Sequence, residues 1–234
     1  MKKPIALVTG STKGIGKAIA EKLEENDFIV IRNGKSKQNL NNYIEADLSK
    51  SKGIDKIIKY VEKDLEYLNV LVNNAAFTKY INYKDSKKLT QELIDKIFKV
   101  NLFAPYHLSV NLKHLLIKAK KFNNINPNII NIASVAGISG FGSNIAYSAS
   151  KGGLITMTKS LSKALKPIRV NAISPGLIET DFVKFPKEYY LEMKKKTPVG
   201  LVGQPEDVAK LTFNIIENNY ITGQNFTIDG GSSL

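Results

Sequence analysis

Three side chains that could exchange a proton with a carbonyl oxygen lie in the second half of the chain. Ser134 follows a strand-like run, Tyr147 comes thirteen positions later, and Lys151 lies four positions after Tyr147. Positions i and i+4 of a helix share one face, so the phenol and the ammonium would be neighbours. A free tyrosine has a pKa of about 10, which a nearby cation lowers. The pattern therefore predicts a general acid/base pair suited to a carbonyl or alcohol oxygen.

A glycine-rich turn near the N-terminus is a second chemical signal. After the first apolar run come Gly10, Ser11, Thr12, Lys13, Gly14, Ile15 and Gly16, and then a helix-like stretch, Lys17–Glu25. Glycines there permit a tight turn and close approach to a pyrophosphate, which the N–H groups of the helix N-terminus can bind. The spacing does not fit a P-loop. A Tyr-x3-Lys pair alone is common on solvated helices, but joined to this turn and to Ser134 it indicates a nucleotide-dependent redox enzyme.

Strands and helices alternate along the whole chain. Short β-branched apolar runs occur at Ile5–Thr9, Phe28–Ile31, Val70–Asn73, Ile129–Ile132, Ile168–Ile173 and Phe226–Ile228, with a weaker one at Tyr43–Ala46. Buried runs joined by helices predict an α/β fold with a parallel sheet covered on both faces. We expect a single Rossmann domain over residues 1–234, with a doubly wound sheet of about seven strands. Ligands should bind beyond the carboxyl ends of the strands.

Composition excludes several kinds of site. There is no cysteine, so disulfides, thiolate ligands and thiol nucleophiles are absent. The two histidines, His107 and His114, are too few for a zinc site, and no metal is expected. No apolar run approaches the roughly 18 residues that a membrane span needs. Because the strand-like run Ile5–Val8 follows Met1-Lys2-Lys3-Pro4 directly, with no signal-peptide pattern, we expect a cytoplasmic protein.

The net charge of +13 admits two interpretations. A basic surface attracts nucleic acid, anionic lipid or an acidic protein. Lysine is, however, abundant along the whole chain, as a general compositional bias would make it. No basic helix interleaved with aromatics suited to bases is present, so nucleic acid is not expected as the main partner.

The end of the second predicted strand bears on the choice of cofactor. An NAD site usually places an acid there to bond the ribose 2′-hydroxyl. The sequence instead reads Ile31-Arg32-Asn33-Gly34-Lys35. Lys13, Arg32 and Lys35 could meet a 2′-phosphate, although three surface bases in a lysine-rich chain are the simpler alternative. The pattern favours NADP(H) over NAD(H).

Nearly the whole sequence resembles the short-chain dehydrogenase/reductase family, and is most similar to its 3-oxoacyl-(acyl-carrier-protein) reductases. The residues that carry the resemblance are Thr9–Gly16, Asp47-Leu48, Asn73-Asn74-Ala75-Ala76, Asn101, Ser134, Tyr147 with Lys151, Pro175-Gly176 leading to Thr180, and the closing Ile221–Gln224 and Asp229–Gly231. The segment 32–42 departs from the family because it is too short for the usual helix. Ala76 also stands where glycine is commoner.

The resemblance implies a role for each matching residue. Tyr147 would donate the proton in reduction and accept it in oxidation, while Ser134 would hydrogen-bond the substrate oxygen. Lys151 would hold the nicotinamide ribose and lower the pKa of Tyr147, and Asn101 would position a water in a proton relay. The remaining cofactor contacts would come from Asp47 at the adenine amine, Leu48, Asn74 and Ala75 beside the adenosine, Asn33, Pro175 and Gly176, and Ile178 with Thr180 at the carboxamide.

Pro105 supports the relay on physical grounds. It lies four residues after Asn101 in a helix-like stretch and has no N–H, so the Asn101 carbonyl loses its usual helical partner. That carbonyl would then be free to hold a water. A kink that serves packing is compatible with the same role.

Substrate choice is expected to lie in a lid segment, which we define as residues 177–203. It combines Phe182, Phe185, Tyr189 and Tyr190 with Lys184, Lys187, Lys194, Lys195 and Lys196, and it would face the small apolar stretch Ile138–Gly142. Aromatics would cover an acyl chain, and lysines would meet a phosphopantetheine arm or an acidic carrier protein. The leading hypothesis is NADPH-dependent reduction of a 3-oxoacyl thioester in fatty-acid synthesis. The alternatives are another carbonyl reductase or an alcohol or sugar dehydrogenase, and a non-catalytic NADP(H)-binding regulator. The resemblance also implies a homotetramer built on helices near 89–120 and 147–165.

Overall fold

A single parallel sheet organises the protein, for which a computed structural model describes residues 2–183 and 186–234. The spatial order of its strands is β3-β2-β1-β4-β5-β6-β7. Their bounds are β1 Ile5–Val8, β2 Ile29–Gly34, β3 Tyr43–Glu45, β4 Val70–Asn73, β5 Asn128–Ile132, β6 Arg169–Pro175 and β7 Asn225–Ile228. The doubly wound, seven-stranded prediction is confirmed, including the weak third strand. The strand order changes direction between β1 and β4, because β2 and β3 lie on one side of β1 and β4 to β7 lie on the other. In such sheets the ligand crevice lies at that point.

Helices cover both faces of the sheet. Their bounds are α1 Gly14–Glu25, α2 Ser51–Asp64, α3 Gln91–Phe98, α4 Ala104–Asn111, α5 Lys113–Lys118, α6 Ala136–Ser139, α7 Ile145–Ala164, α8 Lys187–Lys196 and α9 Pro205–Glu217. Alternate residues of β1 face opposite cores, as the period of a strand requires. Val8 packs in the cluster formed with α1 and α9, whereas Leu7 packs in the cluster formed with α2, α4 and α7.

The helix expected near 89–120 is interrupted. A π-helical turn, Lys99–Phe103, separates α3 from α4, and Pro105 lies in the first turn of α4. Proline has no N–H to donate, so a regular helix cannot run through this point. π turns inside helices are frequent at functional sites.

Residues 35–42 contain no helix, as their length predicted. The described part of the chain contains no helix both long and apolar enough to cross a membrane.

Candidate active site

The acid/base residues meet at the carboxyl ends of β5 and β6. Ser134 comes two residues after β5, and Tyr147 and Lys151 lie one turn apart on α7. The Ser134 hydroxyl hydrogen-bonds the Tyr147 phenol. The Lys151 Nζ donates to the carbonyl of Ile132 over 2.6 Å and lies 5.9 Å from the centre of the Tyr147 ring. The spacing in the sequence thus brings these three side chains to one place.

Burial dominates the proton affinities of the pair. Desolvation raises the pKa of Tyr147 to about 12, although the hydrogen bond with Ser134 acts to lower it. Lys151 is only 2% exposed, and desolvation lowers the pKa of its amine to about 7. The pKa of Tyr147 is thus raised, where the spacing alone led us to expect a lower value, and Lys151 is not among the groups that act to lower it. A buried amine that has lost much of its own charge cannot offset the cost of burying a phenolate.

Asn101 is buried within the π turn, and its side chain is fully engaged. Its Oδ1 accepts from the Phe77 N–H over 2.8 Å, and its Nδ2 donates to the Phe77 carbonyl and to Ser150 Oγ, both over 3.1 Å. Ser150 Oγ in turn donates to the Tyr147 carbonyl over 2.8 Å. The side chain therefore ties the segment after β4 to the helix of Tyr147. A water in the predicted relay would have to use the backbone carbonyl of Asn101.

The glycine turn fits closely against the end of β4. Gly10 has φ +62°, and a Cβ added to it would lie 2.8 Å from Ala75 Cα. At Gly16 a Cβ would lie 2.4 Å from the Gly10 carbonyl oxygen and 2.3 Å from Asn74 Nδ2. The same Asn74 amide donates to the carbonyls of Thr9 and Gly10, over 2.9 and 3.0 Å. Larger residues at these two glycines would separate the turn from β4.

The N-terminus of α1 fits a phosphate group. Gly14 opens the helix with φ +54°, and no described side chain caps this end. The first N–H groups of the helix therefore remain available to an anion. Thr180 Cγ2 would lie 3.3 Å from a Cβ on Gly14, so the first residues of the lid segment reach the same place. Helix end, small turn and lid together form a cradle suited to a dinucleotide pyrophosphate.

Asp47 lies beside this crevice after β3, and Leu48 next to it is buried. Burial acts to raise the pKa of the Asp47 carboxyl. Hydrogen bonds from the N–H and Oγ of Ser49, together with the charges of Lys50 and Lys96, outweigh burial and hold the pKa below its ordinary value. A carboxylate at this position can accept a hydrogen bond from an amine such as that of adenine.

The end of β2 is more strongly tied to the protein than its sequence suggested. Arg32 is 8% exposed, its Nε and Nη2 bind the Glu24 carboxylate over 3.2 and 2.8 Å, and its Nη1 donates to the Ser11 carbonyl. Asn33 is buried, and its amide donates to carbonyls of β3 and of Ala46. These contacts connect the end of β2 to the glycine turn, to α1 and to β3.

Two exposed bases remain beside β2, namely Lys13 and Lys35. Neither makes an ion pair with any residue the structure describes. They are the freer candidates for a 2′-phosphate.

The lid segment leaves the sheet after Pro175 and Gly176. Its two ends are paired, because Ile178 forms a parallel bridge with Gly203 and Glu179 N–H donates to the Gly203 carbonyl over 2.9 Å. Phe182, 44% exposed, places its ring centre 6.3 Å from that of Tyr147. An aromatic wall therefore adjoins the acid/base residue. Lys184 and Phe185 lie outside the described residues.

Asn144 is a functional residue that the sequence reasoning missed. Its Oδ1 accepts from the Tyr147 N–H over 2.8 Å and caps α7, and its Nδ2 donates to the Lys79 carbonyl over 2.8 Å. An asparagine three residues before Tyr147 is a usual N-cap pattern, so the local signal was present. The long-range partner at Lys79 has no such signal.

Fold and site together define a nicotinamide-dependent oxidoreductase of the Rossmann type, and comparisons with known proteins agree. A family model described as enoyl-(acyl carrier protein) reductase matches residues 10–233. The 3-oxoacyl-(acyl-carrier-protein) reductase FabG of Aquifex aeolicus is 35% identical, over 97% of this chain and 96% of that protein. Glucose 1-dehydrogenase 2 of Bacillus subtilis is also 35% identical, over 98% and 94% of the two chains. A solved structure of 4-hydroxyisoleucine dehydrogenase complexed with NADH matches with a TM-score of 0.85 at 30% identity, covering 98% of each chain. The chain belongs to the short-chain dehydrogenase/reductase family.

Proposed function

We propose that the protein reduces the ketone of a 3-oxoacyl thioester to an alcohol with NADPH. The observation that carries this proposal is the neutral Tyr147 phenol, hydrogen-bonded to Ser134, beside the ring of Phe182. A neutral phenol can give a proton to an oxygen, and an apolar neighbour suits an acyl chain. Relatives named as 3-oxoacyl-(acyl-carrier-protein) reductases support the same substrate class.

In the proposed reaction both hydroxyl groups act on one substrate oxygen. A bound nicotinamide supplies the hydride. Ser134 donates a hydrogen bond to the carbonyl oxygen, which stabilises the charge that develops there. Tyr147 transfers its phenolic proton to the same oxygen. Lys151 would hold the nicotinamide ribose, and the Asn101 carbonyl would hold a water that returns the proton to the site.

The cofactor would lie in the crevice at the carboxyl ends of the strands. The pyrophosphate would bind the turn Gly10–Gly16 and the N-terminus of α1. Asp47 would take the adenine amine, with Leu48, Asn74 and Ala75 beside it, and the nicotinamide end would lie near Pro175, Gly176, Ile178 and Thr180. We prefer NADP(H) because β2 ends without an acid and because Lys13 and Lys35 are exposed beside it. Arg32 could add a contact only by giving up part of its bond with Glu24.

The lid segment, residues 177–203, and the stretch Ile138–Gly142 that would face it support the proposed substrate class. On the opposite wall, Ile138 and Phe141 are 53% and 76% exposed, and such an apolar surface suits an acyl chain better than a polyol. On α8, Lys187, Lys194 and Lys195 are exposed beside two glutamates, so this surface is basic. An acidic carrier protein or the phosphates of a pantetheine arm would complement it.

Other functions have specific support and specific difficulties. The relative named glucose 1-dehydrogenase favours a sugar or alcohol substrate, which the apolar wall opposes. Reduction of a carbon–carbon double bond, which the family model's description suggests, would not use two hydroxyls aimed at one oxygen. A non-catalytic NADP(H)-binding regulator would have no need for Ser134, Tyr147 and Lys151 in one place.

The test is nicotinamide oxidation with acetoacetyl thioesters of carrier protein and of coenzyme A, using NADPH and NADH in parallel. We expect turnover with NADPH, faster on the carrier protein. Tight NADPH binding without turnover of either thioester would overturn the substrate proposal, and a panel of sugars and small ketones would then separate the alternatives.

We also propose a homotetramer. Four apolar side chains are exposed at helical spacing from the end of the π turn through α4 to α5: Phe103 (48%), Tyr106 (45%), Val110 (38%) and Ile117 (39%). Exposed apolar rows of this kind mark contact surfaces. Light scattering that gives a monomer would contradict this expectation.

A further inference from the structure

The segment after β4, residues 77–83, is hydrogen-bonded to the stretch that joins α6 to α7. We call this stretch the loop 138–144, and it includes the last two residues of α6. The Ile81 N–H donates to the Ser143 carbonyl over 2.9 Å. The Thr78 and Ser143 hydroxyls lie 2.5 Å apart, and Asn144 Nδ2 donates to Thr78 Oγ1 over 3.1 Å. The wall of the active site is therefore fixed from outside by residues that are distant in sequence.

Tyr83 makes several of these contacts through its hydroxyl group and its ring. Its hydroxyl oxygen accepts from the Gly142 N–H over 2.8 Å and lies 2.9 Å from the Gly140 carbonyl, to which it donates. The Ser148 hydroxyl is 3.2 Å from the same oxygen. The Tyr83 ring stacks on Phe141, with centres 5.2 Å apart and planes 17° from parallel. One phenol thus holds the loop on both sides of Phe141 and also the residue that follows Tyr147.

The other hydrogen bonds of this part of the loop are local: the Gly140 N–H donates to the Ala136 carbonyl over 3.0 Å, and the Phe141 N–H donates to Ser139 Oγ over 3.2 Å. Phe141 is 76% exposed, and Gly140, with φ +76°, has no atom within 4 Å of where a Cβ would stand. Gly142, in contrast, lies against the acid/base residue, because a Cβ on it would be 3.2 Å from Tyr147 Cδ1 and 3.0 Å from Ser148 Oγ. A shift of the loop would therefore change the space beside Tyr147.

We infer that Tyr83 is a positioning residue for the reaction: its hydroxyl fixes the loop 138–144 against Tyr147 and so sets the wall on which the carbonyl substrate lies. The inference rests on the proposed function for its kinetic consequence. Its structural consequence, the anchoring of Gly142, does not depend on any substrate.

The experiment compares Tyr83→Phe with Tyr67→Phe. Tyr67 is a matched control, since it also stacks on a phenylalanine, Phe122, with ring centres 4.4 Å apart, and donates to a backbone carbonyl, that of Lys3, over 2.7 Å. It lies just before β4, at the opposite end of the sheet. Both changes keep the ring and remove only the hydroxyl.

Two measurements are made on each variant. With NADPH and acetoacetyl coenzyme A, we expect Tyr83→Phe to lower kcat/KM about tenfold, the effect of about 1.4 kcal/mol, mainly through a higher KM for the thioester. The KM for NADPH should not change. Hydrogen-exchange mass spectrometry should show faster exchange in the peptide covering 138–146. Tyr67→Phe should match the wild type in both.

Unchanged exchange at 138–146 in Tyr83→Phe would overturn the anchoring, and faster exchange with unchanged kcat/KM would overturn the positioning role. A kinetic loss equal in Tyr67→Phe would show a general effect of lost stability and would also overturn it. If the wild type does not turn over the thioester, the proposed function fails on its own. The exchange comparison then still decides whether Tyr83 holds the loop.

Discussion

Replacing Lys151 by methionine should abolish turnover, and it should also change how the free energy of unfolding depends on pH. The Lys151 amine is buried, and burial lowers its pKa from 10.5 to about 7. The unfolded chain therefore binds a proton between pH 7 and 10.5 that the folded protein does not. Stability rises with pH wherever the unfolded state binds more protons, so Lys151 weakens the fold toward neutral pH and below. Methionine has a similar length and removes this penalty.

The size of the effect follows from the shift. One pKa unit corresponds to about 1.36 kcal/mol. Between pH 7 and pH 9.5 the unfolded chain binds nearly one proton more than the folded protein, except near pH 7, where the folded amine is half protonated. Over this range the free energy of unfolding of the wild type should therefore rise by about 3 kcal/mol more than that of Lys151→Met. Above that range the raised pKa of Tyr147 acts in the opposite direction at first, because the unfolded state then loses phenolic protons that the folded state retains.

Urea unfolding at fixed protein concentration, at about pH 7, 8 and 9.5, measures this difference. Lys159→Met is the matched control: Lys159 is exposed on the same helix, and its loss should leave the pH slope as in the wild type. A Lys151→Met variant with the wild-type slope would refute the reasoning. It would mean that the buried amine keeps its charge and its ordinary proton affinity.

Three further changes test other parts of the site. Tyr147→Phe should lower kcat at least a hundredfold, the scale of general acid catalysis, while NADPH binding measured by fluorescence stays near wild type; a variant that kept most of its kcat would exclude this residue as the acid. Gly16→Ala should weaken nicotinamide binding and lower stability by about 1–3 kcal/mol, because its Cβ would stand 2.3 Å from Asn74 Nδ2 and 2.4 Å from the Gly10 carbonyl oxygen; unchanged binding and melting would show that the turn adapts. Lys13→Ala should raise the KM for NADPH about tenfold, as loss of one charged phosphate contact predicts, with little effect on NADH; equal effects on both would show that Lys13 does not read the 2′-phosphate.

The sheet and the acid/base residues could be predicted because their signals are local. Each strand is a short apolar run between turn residues, and the pair Tyr147 and Lys151 shares a helix face by spacing alone. Pro105 indicated an irregular helix near Asn101, and a π turn is present there. Its exact form could not be predicted, since a missing N–H can be accommodated by a kink, a π turn or a break.

Contacts between distant residues had no signal in the sequence. The glutamate that binds Arg32 is Glu24 on α1, eight residues earlier in the chain, and the pair is visible only once α1 packs beside β2. Tyr83 and Phe141 are likewise ordinary residues until the segment after β4 crosses the loop before α7. The pKa values of Tyr147 and Lys151 could not be predicted for a related reason. The sequence shows that Lys151 is near Tyr147, but how far both are removed from water depends on the packing of the whole site.

The charge states of Tyr147 and Lys151 bear on the direction of the reaction. With its pKa raised to about 12, Tyr147 is a neutral phenol throughout the physiological range, which is the form that donates a proton to a forming alkoxide. Oxidation needs the phenolate, which a charged Lys151 would stabilise. Raising the pH promotes the phenolate but removes the charge from Lys151, whose pKa is about 7, so the two requirements oppose each other. Reduction starts from the neutral phenol, but the proton transfer leaves a phenolate that a charged Lys151 would stabilise in the same way. The charge on Lys151 therefore serves both directions, which differ in the form of Tyr147 from which they start.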